Sequence, residues 1–175
     1  ENTVNKGGGA YWDINELKKI SSLCREKNLS FHMDGARLFN AIVETGERPD
    51  EYGSIFDSIS ICLSKGLGAP VGSLLLGKKD FIKEALRVRK AIGGGMRQAG
   101  YLAAAGIYAL DNNVKGLKED HRRAGEMGEV LEALPYVDEV YPVQTNILIF
   151  KLTGKMKDAD LISKLNEKNI KALIF

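Results

Sequence analysis

The sequence predicts an α/β fold, a sheet covered by helices on both faces, on three observations. Short apolar, β-rich runs at 29–34, 57–64 and 73–77 alternate with segments of helical periodicity. Strands this short and apolar, set between helices, belong to a sheet that is buried on both sides. After a polar break at Asp111-Asn112-Asn113 the βα composition starts again, as the beginning of a smaller layer. We therefore divide the chain into 1–113, part of a large domain, and 114–175, a linking helix with an incomplete small C-terminal domain. A length of 175 residues fits one domain, or one plus part of another. A chain of this size buries roughly two thirds of its unfolded surface, so it has a real core.

Asp13 is placed to cap a helix running to about Lys27, and Glu16 completes a capping box. Ile14, Leu17, Ile20 or Ser21, and Cys24 form its buried stripe. Leu29 to Asp34 reads as a strand that ends in the turn Asp34-Gly35-Ala36. Asp57 to Ser64 is a second strand, and Ser73 to Gly77 a third after the breaker Gly68-Ala69-Pro70. Asp80 to Ile92 is a charged amphipathic helix closed by Gly93-Gly94-Gly95. Gln98 to Leu110 is Ala-rich and apolar all round, which predicts a buried helix. A long helix follows from about Val114 to Leu134, with Leu117, Ala124, Met127, Val130 or Leu131, and Leu134 inward, until Pro135 stops it. Strands Val137–Tyr141 and Asn146–Leu152, a turn at Thr153-Gly154 and a helix Asp158–Lys168 complete the chain.

Composition narrows the function. The chain is 44% hydrophobic and 27% charged, and 25 Lys+Arg against 23 Asp+Glu leave a net +2. That charge argues against nucleic acid or an anionic membrane as partner. No apolar run approaches the ~18 residues of a membrane span, and no charged-then-apolar leader opens the sequence. Cys24 and Cys62 sit in unlike settings, so neither a disulfide framework nor a zinc site is indicated and a reducing cytoplasm is the default compartment. The sequence opens at Glu1 without Met and stops on the apolar Leu173-Ile174-Phe175, which we read as a piece of a longer protein. Glycine clusters at 7–9, 66–72 and 93–95 mark places where the backbone turns sharply or approaches something closely.

Four residues are candidates for chemistry. Asp34 stands at the carboxyl end of a strand, where α/β sheets bind ligands; it either caps the next helix or faces a ligand. Arg37, one turn on, serves a surface ion pair or clamps a carboxylate with its two parallel donors. Lys65 follows a buried strand directly, with Gly66, Gly68 and Pro70 after it. Lysine is almost never buried unpaired, so it either turns to solvent or is a nucleophile whose desolvated amine is competent for Schiff-base chemistry. Arg97, after three glycines at a helix start, is placed to meet a phosphate. The run Lys78, Lys79, Lys83, Arg87, Arg89, Lys90 reads instead as a solvated helix face. Rival glycine-loop readings fail. Gly66-x-Gly68-x-x-Val71 lacks the third glycine of a dinucleotide fingerprint, and Gly95 to Gly100 is followed by Tyr101-Leu102 where a P-loop needs Lys and Ser or Thr. His32 and His121 are too far apart to indicate a metal pair, and His32 reads as a packed strand residue.

Taken together, His-x-Asp-Gly-Ala-Arg at 32–37, Cys-Leu-Ser-Lys-Gly-Leu-Gly-Ala-Pro-Val-Gly-Ser at 62–73 and Gly-Gly-Gly-Met-Arg-Gln-Ala-Gly at 93–100 resemble the low-specificity L-threonine aldolase family of fold-type-I pyridoxal phosphate enzymes. Glu1-Asn2-Thr3, Glu119-Asp120-His121 and Gln144-Thr145-Asn146 add to the resemblance, which is strong over 1–152 and weaker beyond. It implies a large, mainly parallel-sheet domain and the cofactor pyridoxal 5'-phosphate. Lys65 would form the Schiff base, Asp34 would pair with the pyridinium nitrogen, Arg37 would hold the substrate α-carboxylate, and Ser64 and Arg97 would contact the phosphate. The implied reaction cleaves Cα–Cβ of a small β-hydroxy-α-amino acid, taking L-threonine or L-allo-threonine to glycine and acetaldehyde. The implied assembly is a homo-oligomer, a dimer of dimers with sites between subunits. Two departures stand out: residue 4 is Val where relatives often carry His, and a second carboxylate-binding arginine lies beyond Phe175 in the family. The family's Gly-Thr phosphate loop, ring-stacking histidine and hydroxyl-side histidine lie before Glu1. Another lyase of the same fold, a non-catalytic remnant and a generic α/β binding domain are the alternatives.

Overall fold

The computed structural model describes residues 1–154 and 156–174. Along the chain lie α1 (Ile14–Glu26), β1 (His32–Gly35), α2 (Leu38–Thr45), α3 (Pro49–Ile55), β2 (Ser58–Cys62), β3 (Ser73–Gly77), α4 (Lys79–Ala91) and α5 (Gly100–Asn112). A single 3-10 turn at Val114–Gly116 leads into α6 (Leu117–Glu132), followed by β4 (Val137–Val140), β5 (Phe150–Leu152) and α7 (Asp158–Glu167). Among the described residues no helix is long and apolar enough to cross a membrane.

The first three strands form one sheet in the order β1-β2-β3, with β1 parallel and β3 antiparallel to β2. Asp34 lies opposite Ser60 and Gly35 opposite Ile61. Glycine is required at position 35: a Cβ there would stand 2.7 Å from the Ser60 carbonyl oxygen and 3.2 Å from the Leu38 Cβ. The alternation along β1 and β2 sends Met33, Ile59 and Ile61 into a core completed by Ile14 and Leu17 of α1, Leu38 of α2 and Tyr52 of α3. A second core sits under the segment that leaves β2, where Leu63, Leu67 and Ala69 pack against Ala109 of α5 and Leu117 of α6.

Local chemistry explains where the helices begin and end. Asp13 Oδ1 accepts from the amides of Asn15 at 2.8 Å and Glu16 at 3.2 Å, which caps α1. Only half of the expected capping box forms, because the Glu16 carboxylate takes Lys19 at 2.7 Å instead. Ser21 on the buried face donates to the Ile55 carbonyl at 2.6 Å and ties α1 to α3. The helix pair α2–α3, which periodicity left undefined, stops α2 at Gly46 and starts α3 with Pro49 in its first turn.

Three expectations are corrected. First, α5 is not buried. Gly106 and Ala109 face inward, with the Gly106 Cβ position 2.9 Å from Leu63 Cδ1, while Tyr101, Ile107 and Tyr108 are 85%, 60% and 65% exposed. A helix apolar all round asks for cover on every side, and this chain supplies it on one. β3 is likewise exposed along its length, so the sheet is not covered on both faces there. Second, the inner stripe of α6 is Leu117, His121, Ala124 and Gly128, while Met127 and Val130 are exposed. That stripe keeps the helical period, but His and Gly occupy positions that a hydrophobic pattern does not recognise. Third, β5 spans three residues rather than seven, and it pairs antiparallel with β4 with a register shift between Val137 and Glu139. α6 packs on β4 and also on α2.

Hydrogen bonds fasten the N-terminal segment both to β1 and to the stretch before β5. The Asn2 amide donates to the Asp34 carbonyl at 2.8 Å, and Thr145 Oγ1 donates to the Gly9 carbonyl at 2.8 Å.

Candidate functional site

Because β1 and β2 are parallel, their carboxyl ends lie side by side, and the candidate residues collect at that edge. Asp34 occupies the end of β1 and is exposed. Its Oδ1 accepts the Ala36 amide at 3.1 Å, so it shapes the turn into α2; its Oδ2 accepts no hydrogen bond among the described residues. Arg37 is the residue before α2 and is half-buried. Its guanidinium lies 3.8 Å from Glu1 Oε1, a loose ion pair that leaves parallel donors for another carboxylate.

Lys65 lies three residues past β2, in a bend held by its own backbone. The Gly68 amide donates to the Lys65 carbonyl at 2.8 Å, and the Ala69 amide returns to the Leu63 carbonyl at 3.0 Å. Gly68 has φ +73°, which a residue with a Cβ adopts only under strain. From the far side Asn113 donates its Nδ2 to the Leu67 carbonyl at 2.7 Å, and the Leu67 side chain is buried in the second core. The bend is therefore fixed from both faces although its lysine is exposed. Lys65 and Arg37 line one small cleft together with Asn40, Cys62, Gly66 and Leu67. The desolvation anticipated at Lys65 is not supplied by the described residues, since the side chain lies open and forms no ion pair among them.

Ser64 is exposed beside Lys65 and does not line that cleft. Arg97 is exposed in the turn between α4 and α5, and the structure does not bring it to the cleft. His32 sits at the opposite end of the strand pair, where its Nδ1 meets Ser58 Oγ at 2.8 Å; it is a hydrogen-bonded strand residue, but exposed rather than packed as expected. Among the described residues no three His, Cys, Asp or Glu side chains gather as a metal would need.

One cluster was not anticipated. His121 of α6 is buried between Asn40 and Glu44 of α2, with Nε2 3.1 Å from Asn40 Nδ2 and Nδ1 2.9 Å from Glu44 Oε2. The signal available in the sequence was a polar pair at i and i+4 on one face of the otherwise apolar Leu38–Thr45.

The chain spans about half the length of the curated relatives it matches. It is 48% identical over 97% of its length to the low specificity L-threonine aldolase of Escherichia coli (strain K12), of which it covers 49%. It is 42% identical to the low-specificity L-threonine aldolase of Candida albicans, matching over 94% of this chain and 43% of that relative. The solved threonine aldolase of Leishmania major superposes with a TM-score of 0.73 over 91% of this chain and 46% of that one; at 22% identity this is a likeness of fold. The solved putative aromatic amino acid beta-eliminating lyase/threonine aldolase of Exiguobacterium sp. 255-15, 28% identical, superposes with a TM-score of 0.84 over 95% of this chain and 47% of that one. The fold is that of the fold-type-I pyridoxal phosphate enzymes, with the antiparallel β3 beside parallel strands. The family model for beta-eliminating lyases matches residues 1–154, and the chain belongs to that family.

Proposed function

We propose that the protein is a pyridoxal 5'-phosphate-dependent aldehyde-lyase that cleaves L-threonine or L-allo-threonine to glycine and acetaldehyde. The observation that carries this reading is the shared edge: Lys65 and Arg37 line one cleft, with Asp34 at the end of the adjoining parallel strand. The names of the similar aldolases support the substrate class.

The donor set fits the cofactor. Lys65 offers a primary amine on a rigid bend, open to an aldehyde. Asp34 offers a carboxylate oxygen free of other hydrogen bonds, which favours a protonated ring nitrogen. Pyridoxal phosphate, when bound, supplies the electron sink for the pair left on Cα as the Cα–Cβ bond breaks and the β-hydroxyl gives up its proton. Arg37 binds and orients the α-carboxylate, exchanging its loose contact with Glu1 for a substrate with two parallel acceptors. We assign phosphate contacts to Ser64 and Arg97. Because Arg97 does not line the cleft, it acts on this reading from another copy of the chain, in the homo-oligomer that the exposed apolar side of α5 favours.

The test is chemical. Purified protein is mixed with pyridoxal phosphate and reduced with borohydride, the modified peptide is mapped, and unreduced protein is assayed for acetaldehyde release from L-threonine and L-allo-threonine and for indole and pyruvate release from L-tryptophan. We expect a stable adduct on Lys65 and aldehyde from the two hydroxy amino acids; a Lys65→Ala protein that takes up the cofactor as well as the original overturns the assignment. A second reading, a chain that holds the cofactor without turnover, is favoured by the exposure of Lys65, Ser64 and Asp34. An adduct without aldehyde selects it, and activity on L-tryptophan alone selects another lyase of the fold.

A further inference from the structure

Resting on the reading of Lys65 as the cofactor lysine, we infer that His121 is a positioning residue that sets the Lys65 bend through Asn40. Both side chains are buried, at 8% and 3% exposure. Asn40 has only its amide nitrogen to donate, so the bond from Nδ2 to His121 Nε2 requires that Nε2 carry no proton. The imidazole proton then sits on Nδ1 and is donated to Glu44 Oε2, a bond to a charged acceptor. Glu44 thus chooses the tautomer of His121, and the tautomer chooses which edge of the Asn40 amide turns away from the imidazole. The edge turned away is Oδ1, and the amide borders the residue after the lysine: a Cβ on Gly66 would lie 3.6 Å from Oδ1 and 3.9 Å from Nδ2, both within van der Waals reach.

The same point is closed from α6 by Leu117, one turn before His121, whose Cδ2 lies 3.0 Å from that Cβ position. α6 therefore reaches the Lys65 bend twice, directly through Leu117 and by relay through His121 and Asn40. Asn40 also lines the cleft with Lys65, as does Arg37, the N-cap residue of α2 three positions before it. Burying an amide and an imidazole costs free energy that two apolar side chains in this seam would not. What the polar relay adds over apolar packing is direction, because it decides which way an amide points beside the lysine.

The test uses two independent readouts. Hydrogen exchange of the amides at 66–68 is measured in the protein without cofactor, and the rate of borohydride-trapped pyridoxal phosphate uptake at Lys65 is measured with it. His121→Phe removes both hydrogen bonds of the imidazole; His121→Gln keeps an oxygen that accepts from Asn40. In His121→Phe we expect exchange at 66–68 to rise at least tenfold and trapping to slow at least fivefold, both restored to within threefold of the original by His121→Gln. Asn40→Leu should reproduce the His121→Phe effects, and the double variant should be no worse than either, since both act through one amide; Asn40→Leu alone carries the test if His121→Phe does not fold. Unchanged exchange at 66–68 in a folded His121→Phe protein, no rescue by glutamine, or effects that multiply in the double variant overturn the proposal. If the original protein traps no cofactor, the functional reading fails while the exchange comparison still decides the role of His121.

Discussion

Leu117→Ala separates what holds the chain folded from what holds the lysine in place. Leu117 is 1% exposed and sits in the second core, against the bend that follows Lys65. Truncation removes three buried carbons, about 2.4 kcal/mol at about 0.8 kcal/mol each. With a cavity that collapses only in part, the loss comes to about 3 kcal/mol. For a chain of this length that lowers the unfolding midpoint by about 6–12 °C. Leu17→Ala removes the same three carbons from the first core, where Leu17 is 5% exposed on α1, and should cost the same. The two variants part at the site. Measured at a temperature where both are fully folded by circular dichroism, the Leu117 variant should trap pyridoxal phosphate at Lys65 several-fold more slowly, and the Leu17 variant at the original rate. Equal slowing in both, or none in either, refutes the argument that the second core exists to set the lysine bend.

Much of the site was legible because its chemistry is local. Asp34 at a strand end, Arg37 a turn later and Lys65 at the close of the next strand can be found from periodicity and breakers alone, and the parallel pairing brings their segments together. What periodicity could not give was depth. Lys65 follows a strand whose Ile59 and Ile61 are buried, yet two glycines lift the lysine out of that burial. Arg97 could be matched to a phosphate by its neighbours in sequence, but that it does not line the cleft is a tertiary fact with no local signature.

The helices show the same division. Asp13 and Pro135 mark a start and a stop by their own covalent chemistry, and α1 and α6 obey them. α5 fails because apolarity states what a surface requires and not what this chain brings to it: Tyr101 and Tyr108 stand open while Ala109 is buried. In α6 the hydrophobic pattern selected Met127 and Val130 over His121 and Gly128. A buried histidine becomes legible only once its partners Asn40 and Glu44, on another helix, are known. The Leu38–Ile55 region carried two helices joined by a three-residue turn, too short for periodicity to separate them.

Further outcomes follow from single contacts. Arg37→Lys keeps the charge and loses the two parallel donors, so KM for L-threonine should rise about tenfold, the equivalent of about 1.4 kcal/mol, with kcat less affected; an unchanged KM removes Arg37 from substrate binding. Gly35→Ala forces a methyl against the Ser60 carbonyl at 2.7 Å, and chemical denaturation should show about 1–3 kcal/mol of destabilisation; a neutral result means that β1 and α2 can part freely. Hydrogen bonds from Arg122 and then Arg123 hold the Glu119 carboxyl at about 2, below its ordinary 4.5. A carboxylate lowered on folding stabilises above its unfolded value and loses that stabilisation as pH falls from 4.5 towards 2, so Glu119→Gln should flatten part of the acid limb of the urea midpoint. Added salt should flatten it in the original protein too, because the group is exposed; identical limbs in both proteins reject the assignment. Asp34→Asn tests whether capping and cofactor binding are rival uses of one side chain. A carboxylate has two oxygens, and Oδ1 already accepts the Ala36 amide at 3.1 Å while the Asn2 amide pins the Asp34 carbonyl at 2.8 Å. The Ala36 bond restrains the carboxyl group before anything binds and leaves Oδ2 for the ring, while the Asn2 bond holds the backbone beneath it. Asparagine retains an oxygen for Ala36, so the unfolding free energy should stay within about 0.5 kcal/mol of the original. It carries no charge to hold a proton on the ring nitrogen, an effect of about 1–3 pKa units, so turnover should fall by about ten- to a thousandfold. Asp34→Ala, which loses the Ala36 bond and the carboxylate but keeps the main-chain bond from Asn2, should fall in stability and turnover together, and an asparagine variant that behaves like alanine in both would reduce Asp34 to a turn residue.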